Sequence, residues 1–195
     1  MNTETLLQMI EELQLQETIE QYAIPNLDLY MDQVITLFEE KLGHTKRYEE
    51  DKLLTKTMIN NYIKDKVLMP AVKKKYTKEH ILLMILLYDL KQVLAIGDIK
   101  RLFGTIVKEG NVDAQILSEI YQIVIDLKKD ELKAFEEEVS QIGESIASKT
   151  EGLHLKGIDE KELKSMLQVI ILTEKANYYK RLAEKIIDEK ISDKK

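Results

Sequence analysis

Apolar positions along this chain recur at the three- and four-residue steps of a helix, and polar breaks divide them into segments. Leu6, Leu7, Ile10, Leu13 and Ile19 predict a first amphipathic helix from Thr3 to about Tyr22, broken around Gln14 to Glu17 and stopped by Pro25. Leu29 to Leu42 predicts a second, capped by Asn26 or Asp28, striped by Met31, Val34, Ile35 and Phe38, and followed by Gly43. After a polar loop from His44 to Asp51, Thr55 is the expected N-cap of a short helix to about Lys64, whose apolar face is Met58, Ile59, Tyr62 and Ile63. Pro70 forbids more helix, so Ala71 to Tyr76 reads as a loop or small hairpin. Thr77 then caps a helix to about Gln92, in which Ile81, Leu82, Met84, Ile85, Leu87 and Tyr88 cover so much of the circumference that it must be central. Ile96 to Val107 predicts one more short helix, closed by Gly110.

From Asp113 the pattern lengthens. Ile116, Ile120, Ile123 and Leu127 repeat at 4, 3, 4, and Leu132, Phe135, Val139, Ile142 and Ile146 at 3, 4, 3, 4. The five-residue step between the two series breaks the phase and predicts two helices, or one with a kink. These stripes suit a bundle core, a dimer interface or a ligand-enclosing pair equally well. Ser148 to Gly157 is a connector, Asp159 and Glu162 start a long last helix to about Ile191, and the tail Ser192 to Lys195 is expected to fray. The expected organisation is an N-terminal helical segment (1–26), a middle domain (27–110) and a C-terminal helical region (111–195).

Composition sharpens this to an all-α class: Leu, Ile, Lys and Glu dominate the 195 residues, with two prolines and seven glycines. No apolar run approaches the roughly 20 residues of a membrane span, and Met1 to Leu15 has acids where a signal peptide needs a basic start. A cytoplasmic protein is expected. The lack of cysteine excludes disulfides and thiolate metal sites.

Charge singles out one region. The chain carries a net −6, yet Lys52 to Lys78 holds eight lysines against one acid, Asp65, a local +7 (8 − 1). An acidic protein has no general attraction for nucleic acid, so this segregation points to a dedicated anion-facing patch. Lys56, Thr57, Asn60, Asn61 and Lys64, spaced i, i+1, i+4, i+5, i+8, share the polar face of the short helix. A carboxamide offers a donor and an acceptor matched to an adenine edge, so Asn60 and Asn61 are candidate base readers. Lys73, Lys74 and Lys75 are candidate phosphate contacts. Tyr62 and Tyr76 lie among aliphatic positions and read as core rather than as stacking platforms.

A helix, a loop, a polar-faced short helix, a basic hairpin and a central helix compose a helix-turn-helix with a wing. Leu29 to Phe103 resembles the DNA-binding domain of the MerR family, through Tyr30 to Val34, Ile59 to Tyr62, the turn of Val67, Leu68 and Pro70, Lys74 and Tyr76 in the wing, Thr77 and Glu79, and the closing Leu94, Ile96 and Ile99. The runs LYMDQV, LLTKTMINNYIKDK, KKKYTKEHI and LKQVLAIGDIK resemble the bacterial domain-of-unknown-function 1836 family. That resemblance implies a MerR-like winged helix-turn-helix with a small β wing and a regulatory role, followed here by a C-terminal helical bundle or dimerisation region; it brings no assigned reaction. Two positions depart from the MerR pattern: Asn60 stands where arginine is usual, and Lys66 where glycine follows the short helix.

The expected function is a non-catalytic regulator binding double-stranded DNA, without cofactor or metal and without a membrane partner. The alternative is an interaction module whose basic patch takes an acidic protein. His44, His80 and His154 lack ligand spacing, the runs Glu49 to Asp51 and Glu136 to Glu138 read as solvated faces, and no phosphate loop, nucleophile elbow or HExxH is present. A homodimer is compatible with the distal stripes; the target sequence and any small-molecule effector are not written in the chain.

Overall fold

The computed structural model describes residues 3–108 and 110–191. Its helices are α1 (Thr3–Glu12), α2 (Met31–Leu42), α3 (Lys56–Lys64), α4 (Lys78–Lys91), α5 (Ile96–Phe103), α6 (Ala114–Thr150) and α7 (Glu160–Lys190), with short 3-10 turns at Gln21–Ala23 and Gly43–Thr45. Among the described residues two small antiparallel strand pairs accompany them: β1 (Leu29–Tyr30) with β2 (Lys75–Tyr76), and β3 (Val107–Lys108) with β4 (Asn111–Val112). The fold is all-α, and among the described residues no helix is long and apolar enough to cross a membrane. Two compact units divide the chain, one formed by residues up to Glu17 with Leu127–Arg181, the other by Thr18–Asp126 with the chain from Leu182 onward. The terminal segment Ser192 to Lys195, expected to fray, lies outside the described residues.

The unit from Thr18 is built around α4. Eight consecutive residues, His80 to Leu87, are buried, which leaves this helix no solvent face and makes it central, in keeping with its sequence. Val34, Leu37, Phe38 and Leu42 of α2, Ile59 and Tyr62 of α3, and Ile99 and Phe103 of α5 pack around it. The same core takes Leu117, Tyr121 and Ile125 from α6 and Ile187 from α7. Polar contacts close the edge: the Tyr121 hydroxyl donates to the Ile19 carbonyl (2.7 Å), and Gln21 exchanges hydrogen bonds with Ser118. Arg101 reaches the end of α7, donating to Asp188 Oδ1 at 2.8 Å and to the carbonyls of Ile187 and Ile191, which supplies donors to terminal carbonyls that the helix leaves open.

In the other unit, Leu6 and Ile10 of α1 bury with Val139 of α6, joined by Leu132, Phe135 and Leu172. Asp159 caps α7 through its carboxylate, which accepts from the N–H groups of Lys161 and Glu162.

Several expectations need correction. The break expected around Gln14 to Glu17 is present, with Gln14 in the left-handed region (φ 50°), but the first helix ends at Glu12 and only a 3-10 turn at Gln21–Ala23 follows it, so no α-helix reaches Tyr22. Leu29 and Tyr30 are strand, not helix, and the first turn of α2 is closed by Gln33, whose Oε1 accepts from the Tyr30 N–H at 2.8 Å, rather than by Asn26 or Asp28. The helix begun at Ile96 stops at Phe103, and Val107 belongs to a second hairpin in which Gly110 takes φ 76°.

Of the two alternatives for the long C-terminal stretch, two helices are not found: α6 is one helix of 37 residues. Residues 127 to 132, LKKDEL, contain no glycine or proline and are mostly good helix formers, so nothing local interrupts the backbone. The five-residue step instead turns the apolar stripe by about 140° around one helix. Val139, Ile142 and Ile146 are buried, whereas Ile116, Ile123 and Leu127 are 50%, 57% and 55% exposed.

Candidate nucleic-acid interface

Thr55 starts α3 by accepting the Met58 N–H on its hydroxyl (3.1 Å). Ile59 and Tyr62 then point into the core, and helical geometry sends the polar residues outward. Lys56, Thr57, Asn60, Asn61 and Lys64 are all exposed. Lys56 Nζ lies 2.7 Å from Asp32, but both side chains are largely solvent-exposed, so this pair contributes at most about 1 kcal/mol and gives way readily to another anion.

A left-handed residue ends α3. Lys66 takes φ 61°, its N–H bonds the Ile63 carbonyl, and the Val67 N–H bonds the Tyr62 carbonyl at 3.0 Å. This is a Schellman ending, and Lys66 adopts in it the conformation that glycine provides without strain. Val67, Leu68 and Met69 then bury, fixing the exit of the chain.

The hairpin that follows has Lys73 and Lys74 at its tip. Val72 and Lys75 exchange N–H···O bonds of 2.9 and 3.0 Å, and the two central residues have φ 50° and 65°. Positive φ at both centres defines a type I′ turn, for which Asn-Gly is the favoured pair. Both tip lysines are exposed; Lys75 is partly covered, with its Nζ 5.2 Å from the centre of the Tyr30 ring.

The base of the hairpin is braced twice. Tyr76 and Lys75 pair with Leu29 and Tyr30 across the β1–β2 ladder. His80, only 3% exposed, accepts the Thr77 N–H on Nδ1, places Nε2 3.2 Å from the Pro70 carbonyl and meets the Tyr76 ring edge-on at 5.6 Å. With Nδ1 accepting, Nε2 carries the proton and donates to Pro70, so the ring is neutral and joins the segment entering the hairpin to the one leaving it. Burial pushes the His80 pKa below its ordinary value, against the opposing pull of Pro70, Glu79 and Asp28. Tyr62 and Tyr76 are buried, as their aliphatic surroundings suggest, and burial raises the pKa of both phenols.

The eight candidate residues thus lie on two elements rooted in one core: five on the exposed face of α3 and three on the hairpin. Sequence inspection missed β1 and the brace at His80. The spacing Thr77-x-x-His80 was the available signal, because a side chain three residues after an N-cap is placed to bond back to its N–H. Among the described residues no three His, Asp or Glu side chains gather as a metal site would require.

A family model described as domain of unknown function (DUF1836) matches residues 19–124, nearly the whole Thr18–Asp126 segment of the unit around α4. No curated protein and no solved structure matches the chain.

Proposed function

The chain belongs to the family of the domain of unknown function (DUF1836), and from that premise and the geometry of α3 and its hairpin we propose a non-catalytic regulator that binds duplex DNA through a MerR-like winged helix-turn-helix. In this reading α3 is the recognition helix and the 72–75 hairpin is the wing. Asn60 and Asn61 read base edges in the major groove, flanked by Lys56, Thr57 and Lys64. Lys73, Lys74 and Lys75 neutralise phosphates and release counterions.

The observation that carries the reading is the hairpin tip. Each non-glycine residue held in the left-handed region costs about 1 kcal/mol or more, and strained positions of this kind concentrate at functional sites. Two adjacent lysines are kept where Asn-Gly would relieve the strain, which makes sense if their charge is what the tip is for.

One short helix reads few base pairs, and a two-fold dimer doubles the reading. The stripe of Ile116, Ile120 and Ile123 on α6, exposed at Ile116 and Ile123 and partly covered at Ile120, has the 4-3 spacing of a helix-pairing seam, and we assign it to a second copy of the chain.

Selection from random duplex oligonucleotides with the purified full chain tests the reading. A recovered motif is expected, and Asn60→Ala or Asn61→Ala should relax it at a few base pairs while changing stability by less than about 0.5 kcal/mol. Failure to enrich any sequence, with binding that resists salt, sinks DNA recognition; tight capture of acidic protein instead points to the interaction-module alternative.

A further inference from the structure

A second basic feature lies apart from the α3 face and the hairpin tip, in a cleft of about 810 Å³ formed by the ends of α3, α5 and α7. The apolar part of its lining comes from Ile63, Leu68, Met69, Val107 and Ile191, beside the polar Thr105. Its charge comes from Lys66, Lys100, Arg101 and Lys190, and among the described residues no acidic side chain lines it. These cations border a concavity rather than a protruding face.

The four cations do not have the same task. Arg101 is committed to Asp188 and to the last carbonyls of α7, which makes it part of the scaffold. Lys66 is set in the lining by the left-handed ending of α3, at a position where glycine would be unstrained. Lys66, Lys100 and Lys190 remain as ammonium groups bordering an apolar hollow. A volume of this size falls in the range of small-ligand sites, roughly 300 to 1,000 Å³, and is far too small for a duplex. An inorganic anion would leave the apolar walls uncovered, and a hydrocarbon would leave the ammonium groups unused.

We propose that this cleft binds a small amphipathic anion, an apolar body carrying one carboxylate or phosphate group that faces Lys66, Lys100 and Lys190. The anionic group takes charge-assisted hydrogen bonds from the lysines, and the body covers Ile63, Val107 and Ile191, the partly exposed apolar side chains of the lining. The cleft shares Lys66 and Pro70 with the exit of α3 and the start of the hairpin, so a molecule seated there touches the segment that joins them.

Calorimetric titration of the full chain tests this with octyl phosphate and octanoate as probes, and with inorganic phosphate and 1-octanol as the separated halves. One molecule of at least one amphiphile is expected to bind per chain, with each half binding at least about tenfold more weakly, the loss equivalent to one hydrogen bond to a charged group. Lys100→Gln with Lys190→Gln, both exposed positions whose exchange leaves the core intact, should weaken the amphiphile by about tenfold or more on the same grounds. No binding of either amphiphile, 1-octanol binding as tightly as octyl phosphate, or unchanged affinity in the folded double variant overturns the proposal. The titration contains no DNA, so its outcome is independent of duplex recognition.

Discussion

His80 is the residue on which the hairpin and α4 are joined, and its bonding pattern requires a neutral ring. Protonating Nδ1 would remove the acceptor that the Thr77 N–H uses, inside a site already closed to water. Because burial depresses its pKa in the fold, the unfolded chain takes up the proton first, near 6.5, as pH falls. Stability from this residue is therefore complete above about pH 6.5 and declines as pH drops from there toward the lowered value, by at most about 1.4 kcal/mol per unit. Urea unfolding of the parent and of His80→Gln at pH 7.5 and 5.5, values set on either side of the ordinary histidine pKa, should show a larger acid loss in the parent. Equal losses in both would mean that the dependence arises elsewhere. Tyr62 and Tyr76 were legible as core residues because they interrupt aliphatic stripes, but the role of His80 depends on Pro70, which lies one hairpin earlier in the chain.

At the scale of elements, α3 and the hairpin follow different rules. The capped, amphipathic α3 is local chemistry, and its limits at Thr55 and Lys64 match the sequence reading. The hairpin has no Gly or Asn at its tip, so its type I′ turn is imposed by the strand pairing on either side. Replacing Lys73→Asn together with Lys74→Gly should relieve the two left-handed lysines and raise stability by about 1 kcal/mol or more. The same variant should bind duplex DNA more weakly, with a salt slope shallower by about 1.8, two phosphate contacts at about 0.9 each. Thermal melting and DNA titration over a salt series read the two effects. A stabilised variant with an unchanged slope would remove the tip lysines from the phosphate contacts.

For the whole molecule, the exposed series on α6 is the decisive feature. Ile116, Ile120 and Ile123 keep coiled-coil spacing, yet the buried face of that stretch is Leu117, Tyr121 and Ile125. An apolar seam that leaves Ile116 and Ile123 exposed beside that buried face suits a second chain. Light scattering should give a dimer mass for the full chain and a monomer mass for Ile116→Gln with Ile123→Gln, with helicity retained because neither residue belongs to the core. A monomeric parent, or a double variant that still dimerises, would move the seam elsewhere.

The sequence by itself determined the helical class, most helix limits, the central place of α4 and the concentration of lysine around α3, since these follow from periodicity, capping and composition, which are local properties. Tertiary structure alone decided which of two interleaved stripes on α6 turns inward. Ile116, Ile120, Ile123 and Leu127 form a regular apolar series, as do Leu117, Tyr121, Val124 and Ile125 on another face, and one helix offers both at once. Burial went to the face that joins the core around α4 and lets the Tyr121 hydroxyl reach the Ile19 carbonyl, a partner 102 residues earlier in the chain. The same holds for β1, a two-residue strand that exists by pairing with the hairpin, and for the end of α7, whose Ile187 enters a core built by residues far from it in sequence. Hydrophobicity says that a residue will be buried somewhere; only the packed partners say which face, and against what.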